Sequence, residues 1–115
     1  MRRGVFEMDA QLKRGVLEIC VLSVLTRGES YGYQMIKDLP SGIEVSESTL
    51  YPVLKRLEKN ECVTVYTVEH NSRLRKYYRI TGKGQKKIRA FLEEWKEMME
   101  IYHFIENQVT GGTGG

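Results

Sequence analysis

The stretch SESTLYPVLKRLEKNECVTVYTVEHNSRLRKYYRI, residues 46–80, changes from a helical to an extended pattern, and this change decides the fold. Its first part has apolar residues at helical spacing and predicts a helix over residues 47–59. From Cys62 onward the composition becomes β-branched and aromatic, which is typical of strands. A turn at His70-Asn71-Ser72 and a second strand over residues 75–80 complete a predicted β-hairpin.

The start of this predicted helix has two interpretations. Ser46 is a plausible N-cap. Pro52 follows six positions later and removes one helical hydrogen bond, because proline has no amide hydrogen. The helix therefore either bends at Pro52 or begins nearer Ser48.

Two further helices are predicted before residue 46. Apolar residues recur at helical spacing over residues 9–25, on a stripe wide enough for a helix that is buried on most sides. Gly28 is a signal for the end of that helix. Ser30 is then expected to cap a short helix over residues 31–39, which stops before Pro40.

A long helix is predicted over residues 83–109, after Thr81-Gly82. Its apolar residues alternate at spacings of four and three, the pattern of a helix that packs along a partner helix. They are Ile88, Leu92, Trp95, Met99, Tyr102, Ile105 and Val109. One small domain cannot cover a stripe roughly 40 Å long, so we expect a homodimer. The Gly-rich residues 110–115 are expected to be disordered.

The chain has 115 residues, 41% of them apolar, and this fits one globular domain with a core. It lacks an apolar run long enough to span a membrane, and Glu7 and Asp9 follow the basic start where a signal peptide would be apolar. We therefore expect a cytoplasmic protein with no membrane partner. Cys20 and Cys62 are expected to be buried, reduced thiols, and His70 and His103 to be surface residues.

Charge is distributed unevenly in the C-terminal region. Residues 71–92 contain eight basic residues and no acidic one, whereas residues 93–109 contain five glutamates and one lysine. A basic block of this kind favours a polyanion such as nucleic acid. The sequence shows no Ser/His/Asp order, Gly-rich phosphate loop or paired catalytic carboxylates. It therefore predicts that the protein is not an enzyme and has no cofactor and no metal site.

The order helix, helix, turn, helix, hairpin predicts a mostly α fold with a small β wing, a winged helix-turn-helix followed by a long C-terminal dimerisation helix. In such a fold the third helix enters the major groove of double-stranded DNA and the wing contacts phosphates. The candidate DNA-binding residues on the helix and the wing are Ser46, Ser48, Thr49, Tyr51, Lys55, Arg56, Arg73, Arg75 and Lys76. The alternative for Tyr51 is a place in the core, and for the hydroxyl cluster a role limited to capping.

Five motifs in register resemble the PadR family of bacterial transcriptional regulators. They are Gly15-Val16-Leu17-Glu18, Tyr31-Gly32-Tyr33, Ser48-Thr49-Leu50-Tyr51-Pro52, Arg56-Leu57-Glu58 and Arg75-Lys76-Tyr77-Tyr78. The resemblance implies a homodimer built through the first and last helices and DNA binding by the third helix and the wing. The predicted organisation is a DNA-binding domain over residues 1–81, a dimerisation helix over residues 82–109 and a tail over residues 110–115.

Three residues depart from the family pattern. Glu61 stands where a glycine is usual at the end of the third helix, so a left-handed C-cap is either strained or taken by Asn60. Ser48 stands where Gly or Ala is common, and Leu74 interrupts the wing arginines. These departures affect the details of DNA contact and leave the predicted fold unchanged.

Trp95 is the only tryptophan and has two interpretations. A large aromatic residue on a packing face normally fills space, which would make it part of the dimer core. The chain also resembles short multidrug-sensing members of the family, in which paired indoles hold planar aromatic small molecules. That resemblance implies a ligand site lined by Leu12, Gly15, Ile19, Trp95 and Met99, with Glu18 close enough to favour a cation.

The leading hypothesis is a DNA-binding repressor whose operator affinity is coupled to a small aromatic ligand at the dimer interface. The alternative is a winged-helix module for protein–protein contact without specific DNA binding. Only the first requires neutralisation of phosphates.

Overall fold

A computed structural model describes residues 9–110 and contains four helices and three strands. These are α1 (Ala10–Leu25), β1 (Ser30–Tyr31), α2 (Gly32–Asp38), α3 (Glu47–Lys59), β2 (Val63–His70), β3 (Arg73–Ile80) and α4 (Gly82–Val109). The predicted mostly α fold with a small β wing and a long last helix is confirmed. The predicted disordered tail, apart from Thr110, lies outside the described residues.

The core lies between α1, α2, α3 and the inner face of the sheet. The largest fully buried side chains come from each of these helices and from β2. They are Leu22, Leu25, Met35, Leu50, Leu54, Leu57, Val21 and Val63. Asp9 caps α1, since its Oδ2 accepts hydrogen bonds from the amides of Gln11 at 3.0 Å and Leu12 at 3.2 Å.

Helix α3 begins at Glu47 with Ser46 at the N-cap position and continues through Pro52. The start nearer Ser48 is therefore wrong. The Ser46 side chain makes no capping hydrogen bond, whereas its carbonyl accepts from the amides of Thr49 at 3.1 Å and Leu50 at 2.9 Å.

Glu61 ends α3 in the left-handed conformation that usually favours glycine, with φ of 64°. The Cys62 amide donates to the Leu57 carbonyl at 2.8 Å and the Glu61 amide to the Glu58 carbonyl at 2.9 Å, which is the Schellman pattern. Asn60 has φ of −88°. Of the two alternatives for this cap, the strained one is therefore present.

The sheet has three antiparallel strands in the order β1-β3-β2, one more than the predicted hairpin. Ser30 pairs with Tyr78 and Tyr31 with Tyr77. The predicted short helix over residues 31–39 is present as α2, but the prediction that Ser30 caps it is wrong. Tyr31 holds the N-cap position of α2 without a side-chain capping bond, because pairing with β3 keeps residues 30 and 31 extended.

The hairpin turn is shorter than predicted. His70 pairs with Arg73, so β3 begins at Arg73 and only Asn71 and Ser72 form the turn. Both have positive φ, 53° and 66°, as a two-residue type I′ turn requires. The wing therefore projects as two regular strands of eight residues each.

Helix α4 has 28 residues and is about 42 Å long. It is anchored at its first turn, where Thr81 Oγ1 accepts from the Gly84 amide at 3.1 Å and Gly84 is buried against the Cys62 carbonyl and Ile80. Its later apolar residues are exposed, namely Leu92, Met98, Met99, Ile101, Tyr102, Phe104, Ile105 and Val109. Within residues 9–110, no helix is apolar enough over sufficient length to cross a membrane.

Candidate nucleic-acid interface and ligand pocket

A groove of about 740 Å³ separates the N-terminal part of α3 from the wing. We call it the wing groove. Four of the predicted DNA-binding residues line it, namely Tyr51, Arg73, Arg75 and Lys76. Residues that the sequence did not single out for DNA contact complete it, namely Tyr31, Gly32, Tyr33, Glu47, His70, Asn71 and Leu74.

Tyr51 faces the wing groove from α3. Its side chain is 42% exposed, so the alternative of a core position is wrong. A Cβ atom on Gly32 would lie 2.6 Å from the Tyr51 hydroxyl. Glycine at position 32 therefore permits the close approach of α2 to the Tyr51 ring.

Arg75 of the wing rests on an aromatic residue from β1. Its guanidinium carbon lies 4.0 Å from the centre of the Tyr31 ring, a distance typical of cation–π contact. The Tyr77 ring meets Tyr31 edge-on at 5.4 Å and stacks on Tyr66 at 5.7 Å. This row of three tyrosines crosses all three strands and supports Arg75 at the groove.

The other end of the tyrosine row is held by an ionic cluster. Arg79 donates to Glu29 Oε1 from Nε at 3.0 Å and from Nη2 at 2.8 Å, and the Tyr66 hydroxyl donates to Glu29 Oε2. The hydrogen bond from Tyr66, followed by that from Arg79, holds the pKa of Glu29 below its ordinary value. The cluster ties the loop before β1 to strands β2 and β3.

The hydroxyl cluster at the start of α3 lies outside the wing groove and is exposed. Ser46 Oγ lies 2.9 Å from Ser48 Oγ and 3.3 Å from Thr49 Oγ1. Lys55, one turn further along α3 from Tyr51, is also exposed. These four side chains remain predicted DNA contacts at the helix surface.

Arg56 is placed differently from the other predicted DNA-binding residues. Its Nε donates to Glu18 Oε2 on α1 at 2.5 Å, and it is absent from the residues that line the wing groove. Its place on the outer face of the third helix brought Arg56 into the predicted set, but the pairing with Glu18 depends on how α3 packs on α1. That packing has no signal in the sequence.

A second cavity, of about 560 Å³, lies between α1 and α4. We call it the α1–α4 pocket. Four of the five predicted ligand residues line it, namely Leu12, Gly15, Ile19 and Trp95. Met99 does not, because it lies one helical turn beyond Trp95 on α4. Phe91 replaces it in the lining and packs on Trp95 with ring centres 5.8 Å apart.

The cysteines and histidines of the described residues lie apart from the wing groove and the α1–α4 pocket, except for His70, which lines the groove. Cys62 is buried and Cys20 half-buried, and both are free, so the prediction of buried thiols holds fully only for Cys62. Burial raises the pKa of the Cys20 thiol. His70 and His103 are exposed as predicted. Across residues 9–110, no group of three or more His, Cys, Asp or Glu side chains could hold a metal ion.

The architecture and the five motifs can be compared with known proteins. Residues 21–90 match the Transcriptional regulator PadR-like family. This chain belongs to that family. A relative from Lysinibacillus sphaericus is 33% identical over 93 residues, which cover 76% of this chain and 85% of the relative.

Solved structures agree with the assignment. A PadR-like transcription factor from Bacteroides fragilis is 34% identical, with a TM-score of 0.76 over 84% of this chain and 95% of that one. A transcriptional regulator from Clostridium thermocellum is 33% identical, with a TM-score of 0.73 over 82% and 96% of the two chains. This PadR-like protein is therefore a DNA-binding transcriptional regulator and not an enzyme.

Membership of the PadR-like family decides between the two functions that the sequence left open, in favour of DNA binding.

Tyr31 and Tyr33 line the wing groove, although neither was predicted from the sequence as a DNA-binding residue. The motif Tyr31-Gly32-Tyr33 was a signal for them, because a glycine between two tyrosines is typical of close backbone approach.

Proposed function

We propose that this PadR-like regulator is a homodimeric repressor that reads its operator with α3 and the wing. The proposal rests on the side chains that line the wing groove. Three basic side chains, Arg73, Arg75 and Lys76, lie together there opposite Tyr51. Arginine and lysine at such a position neutralise phosphates, whereas a tyrosine on the recognition helix is suited to contact at the groove.

The surfaces proposed for DNA binding and dimerisation support the role of repressor. A DNA-binding groove and a dimerisation helix are enough to cover a promoter, and this mode of action requires no further activity from residues 9–110. The test is transcription in vitro from a template whose promoter overlaps a duplex selected by the protein. We expect transcript to fall as protein is added, and a rise would contradict repression.

The DNA interface is tested with a duplex that the parent protein selects from a random library. Arg75→Ala should weaken binding and reduce the slope of log K against log salt by about one unit, because one phosphate contact is lost. Tyr51→Ala should weaken binding with nearly the same slope as the parent. Identical salt slopes for the parent and both variants would show that the wing is not part of the DNA interface.

The homodimer is proposed to form through α1 and α4. The exposed apolar residues of α4 from residue 92 onward, such as Leu92, Ile101 and Ile105, form a patch of the kind that monomers rarely leave uncovered. A second copy of the same chain buries such a patch symmetrically. In a dimer of this kind the α1–α4 pocket of each protomer lies beside the interface.

The α1–α4 pocket is proposed to take a planar aromatic ligand. Its volume lies within the range of roughly 300–1,000 Å³ that is usual for ligand sites. Trp95 lines it and is half-buried, so its ring retains exposed surface for stacking. Stacking on an aromatic ring contributes about 1 kcal/mol beyond the area that it buries.

Fluorescence of Trp95 tests the ligand site, because it is the only tryptophan. Acridone, a neutral planar dye, should quench its emission saturably, and dye and DNA should weaken each other's binding. Trp95→Ala should fold, bind DNA and no longer bind the dye. If Trp95→Ala instead loses roughly 3 to 5 kcal/mol of stability, or if quenching of the parent never saturates, Trp95 is a core residue.

A further inference from the structure

Glu18 lies at a joint between three helices. It belongs to α1, is only 8% exposed, and accepts a hydrogen bond from Arg56 of α3 through Oε2. Its other oxygen, Oε1, lies 3.6 Å from Nζ of Lys87 on α4. One carboxylate therefore connects the recognition helix with the dimerisation helix.

Arg56 depends on this carboxylate. Its Nη2 is buried and has no hydrogen-bond partner within residues 9–110, so the bond from Nε is the polar contact that holds the guanidinium against α1. The Arg56 side chain is half-buried, and a buried guanidinium nitrogen without an acceptor is costly. Loss of the Glu18 carboxylate would therefore remove the hydrogen bond that holds the Arg56 guanidinium at α1. Helix α3 would then lose a point of attachment to α1.

Glu18 also lines the α1–α4 pocket. The charged residues that line this pocket are Asp9, Glu18, Lys87 and Glu94, so carboxylates outnumber the single ammonium group. Such a lining favours a cation over an anion. A positively charged group on a ligand in the pocket would contact the Glu18 carboxylate, which is buried and already hydrogen-bonded to Arg56.

We propose that Glu18 is a positioning residue whose carboxylate exchanges between Arg56 and a cationic planar ligand in the α1–α4 pocket. When the ligand takes the carboxylate, the recognition helix detaches from α1. The proposal rests on the proposed function of the pocket and extends it to the charge of the ligand and to the route by which binding reaches DNA. Ligand and Arg56 compete for one acceptor, and this competition couples the two sites.

Two single substitutions on the full chain separate exchange from a merely structural role. Glu18→Gln should lower the affinity for proflavine, a cationic planar dye, about tenfold and leave the affinity for neutral acridone unchanged. Arg56→Gln should raise the affinity for proflavine several-fold, because the competing cation is gone. Both variants should weaken binding to the selected duplex with an unchanged salt slope, since neither removes a phosphate contact.

Glu93→Gln is the matched control, because it removes an exposed carboxylate of α4 that lines neither the wing groove nor the α1–α4 pocket. It should leave DNA affinity unchanged. Dye affinities are measured by Trp95 emission in the absence of DNA, since proflavine also binds duplexes. Melting temperatures of all variants establish that they fold.

Opposite shifts of proflavine affinity in Glu18→Gln and Arg56→Gln support the exchange. Equal shifts of proflavine affinity in the two variants, or no shift in either, overturn the exchange. This holds even if the parent binds both dyes and the pocket is a true ligand site. Absence of saturable binding of either dye to the parent overturns the proposed ligand function and the exchange together. A reduced salt slope in Arg56→Gln would show that Arg56 contacts phosphate directly and would also overturn the exchange.

Discussion

The winged-helix part of this regulator, residues 10–80, and residues 92–109 of α4 use the same apolar residue types in opposite ways. In the first region leucines such as Leu22, Leu50 and Leu57 are fully buried by the chain itself. In the second, Leu92, Ile101 and Ile105 are about half exposed. The first region therefore has its own core, and the second supplies an apolar surface that is proposed to be covered by another protomer.

This difference separates two sources of stability. Core burial contributes to the folding of each chain at any protein concentration, whereas burial between copies contributes only when a partner is bound. It also separates two tasks, because the wing groove lies in the first region and the proposed dimer surface in the second. Substitutions in each region should therefore change different measurements.

The largest expected effect is on association. Ile105→Glu places a charge on the exposed apolar face of α4, once in each protomer, where the proposed interface would bury it without a partner. We expect the dimer dissociation constant to rise at least about 100-fold, equivalent to roughly 2.7 kcal/mol. Sedimentation velocity over a range of concentrations measures this change.

Asn107→Glu is the control for Ile105→Glu, since it adds the same charge two residues further on, roughly 200° around the helix. It should leave the dimer intact. If both variants associate like the parent, the second half of α4 is not the dimer surface.

A smaller effect is expected in the core. Leu50→Ala removes a fully buried side chain of α3 and should lower the free energy of unfolding by about 3 kcal/mol. Leu74→Ala, on the wing, should change it by no more than about 0.5 kcal/mol, because Leu74 is 78% exposed. Urea denaturation at one fixed protein concentration measures both. Equal losses would contradict the division between a closed core and an exposed wing.

The smallest expected effect is a gain in stability. Glu61→Gly removes the strain of a left-handed residue at the end of α3 and gives up only an exposed ion pair with Lys83 at 3.8 Å. We expect the free energy of unfolding to rise by about 0.5 to 1 kcal/mol. Glu58→Gly, inside the same helix, should instead destabilise by about 1 kcal/mol. A loss in both variants would show that the cap is not strained.

Sequence patterns predicted the elements whose signal is local. The bounds of α3 follow from the spacing of Leu50, Val53, Leu54 and Leu57, and the hairpin follows from its β-branched residues. Strand β1 was missed because two residues have no periodicity, and their extended conformation comes from pairing with Tyr77 and Tyr78. Tertiary pairing overrode the local capping signal of Ser30.

The candidate sites show the same limit. Trp95, Leu12, Gly15 and Ile19 line one pocket, as the resemblance to multidrug-sensing members of the family implied. Met99 lies outside the α1–α4 pocket, and the pairing of Arg56 with Glu18 was not predicted, because both depend on which turn of one helix meets another. The contact of Arg56 with Glu18 joins residues 38 positions apart, and no local pattern encodes it.

The most direct test of the account is the sequence and stoichiometry of the duplex that the parent protein selects from a random library. A regulator that dimerises through α4 and reads DNA with α3 and the wing should select an inverted repeat whose half-sites are about 34 Å, or one helical turn, apart or a multiple of that distance. Sedimentation of the complex should then give two chains per duplex. Selection of a single asymmetric half-site bound by one chain would contradict the account.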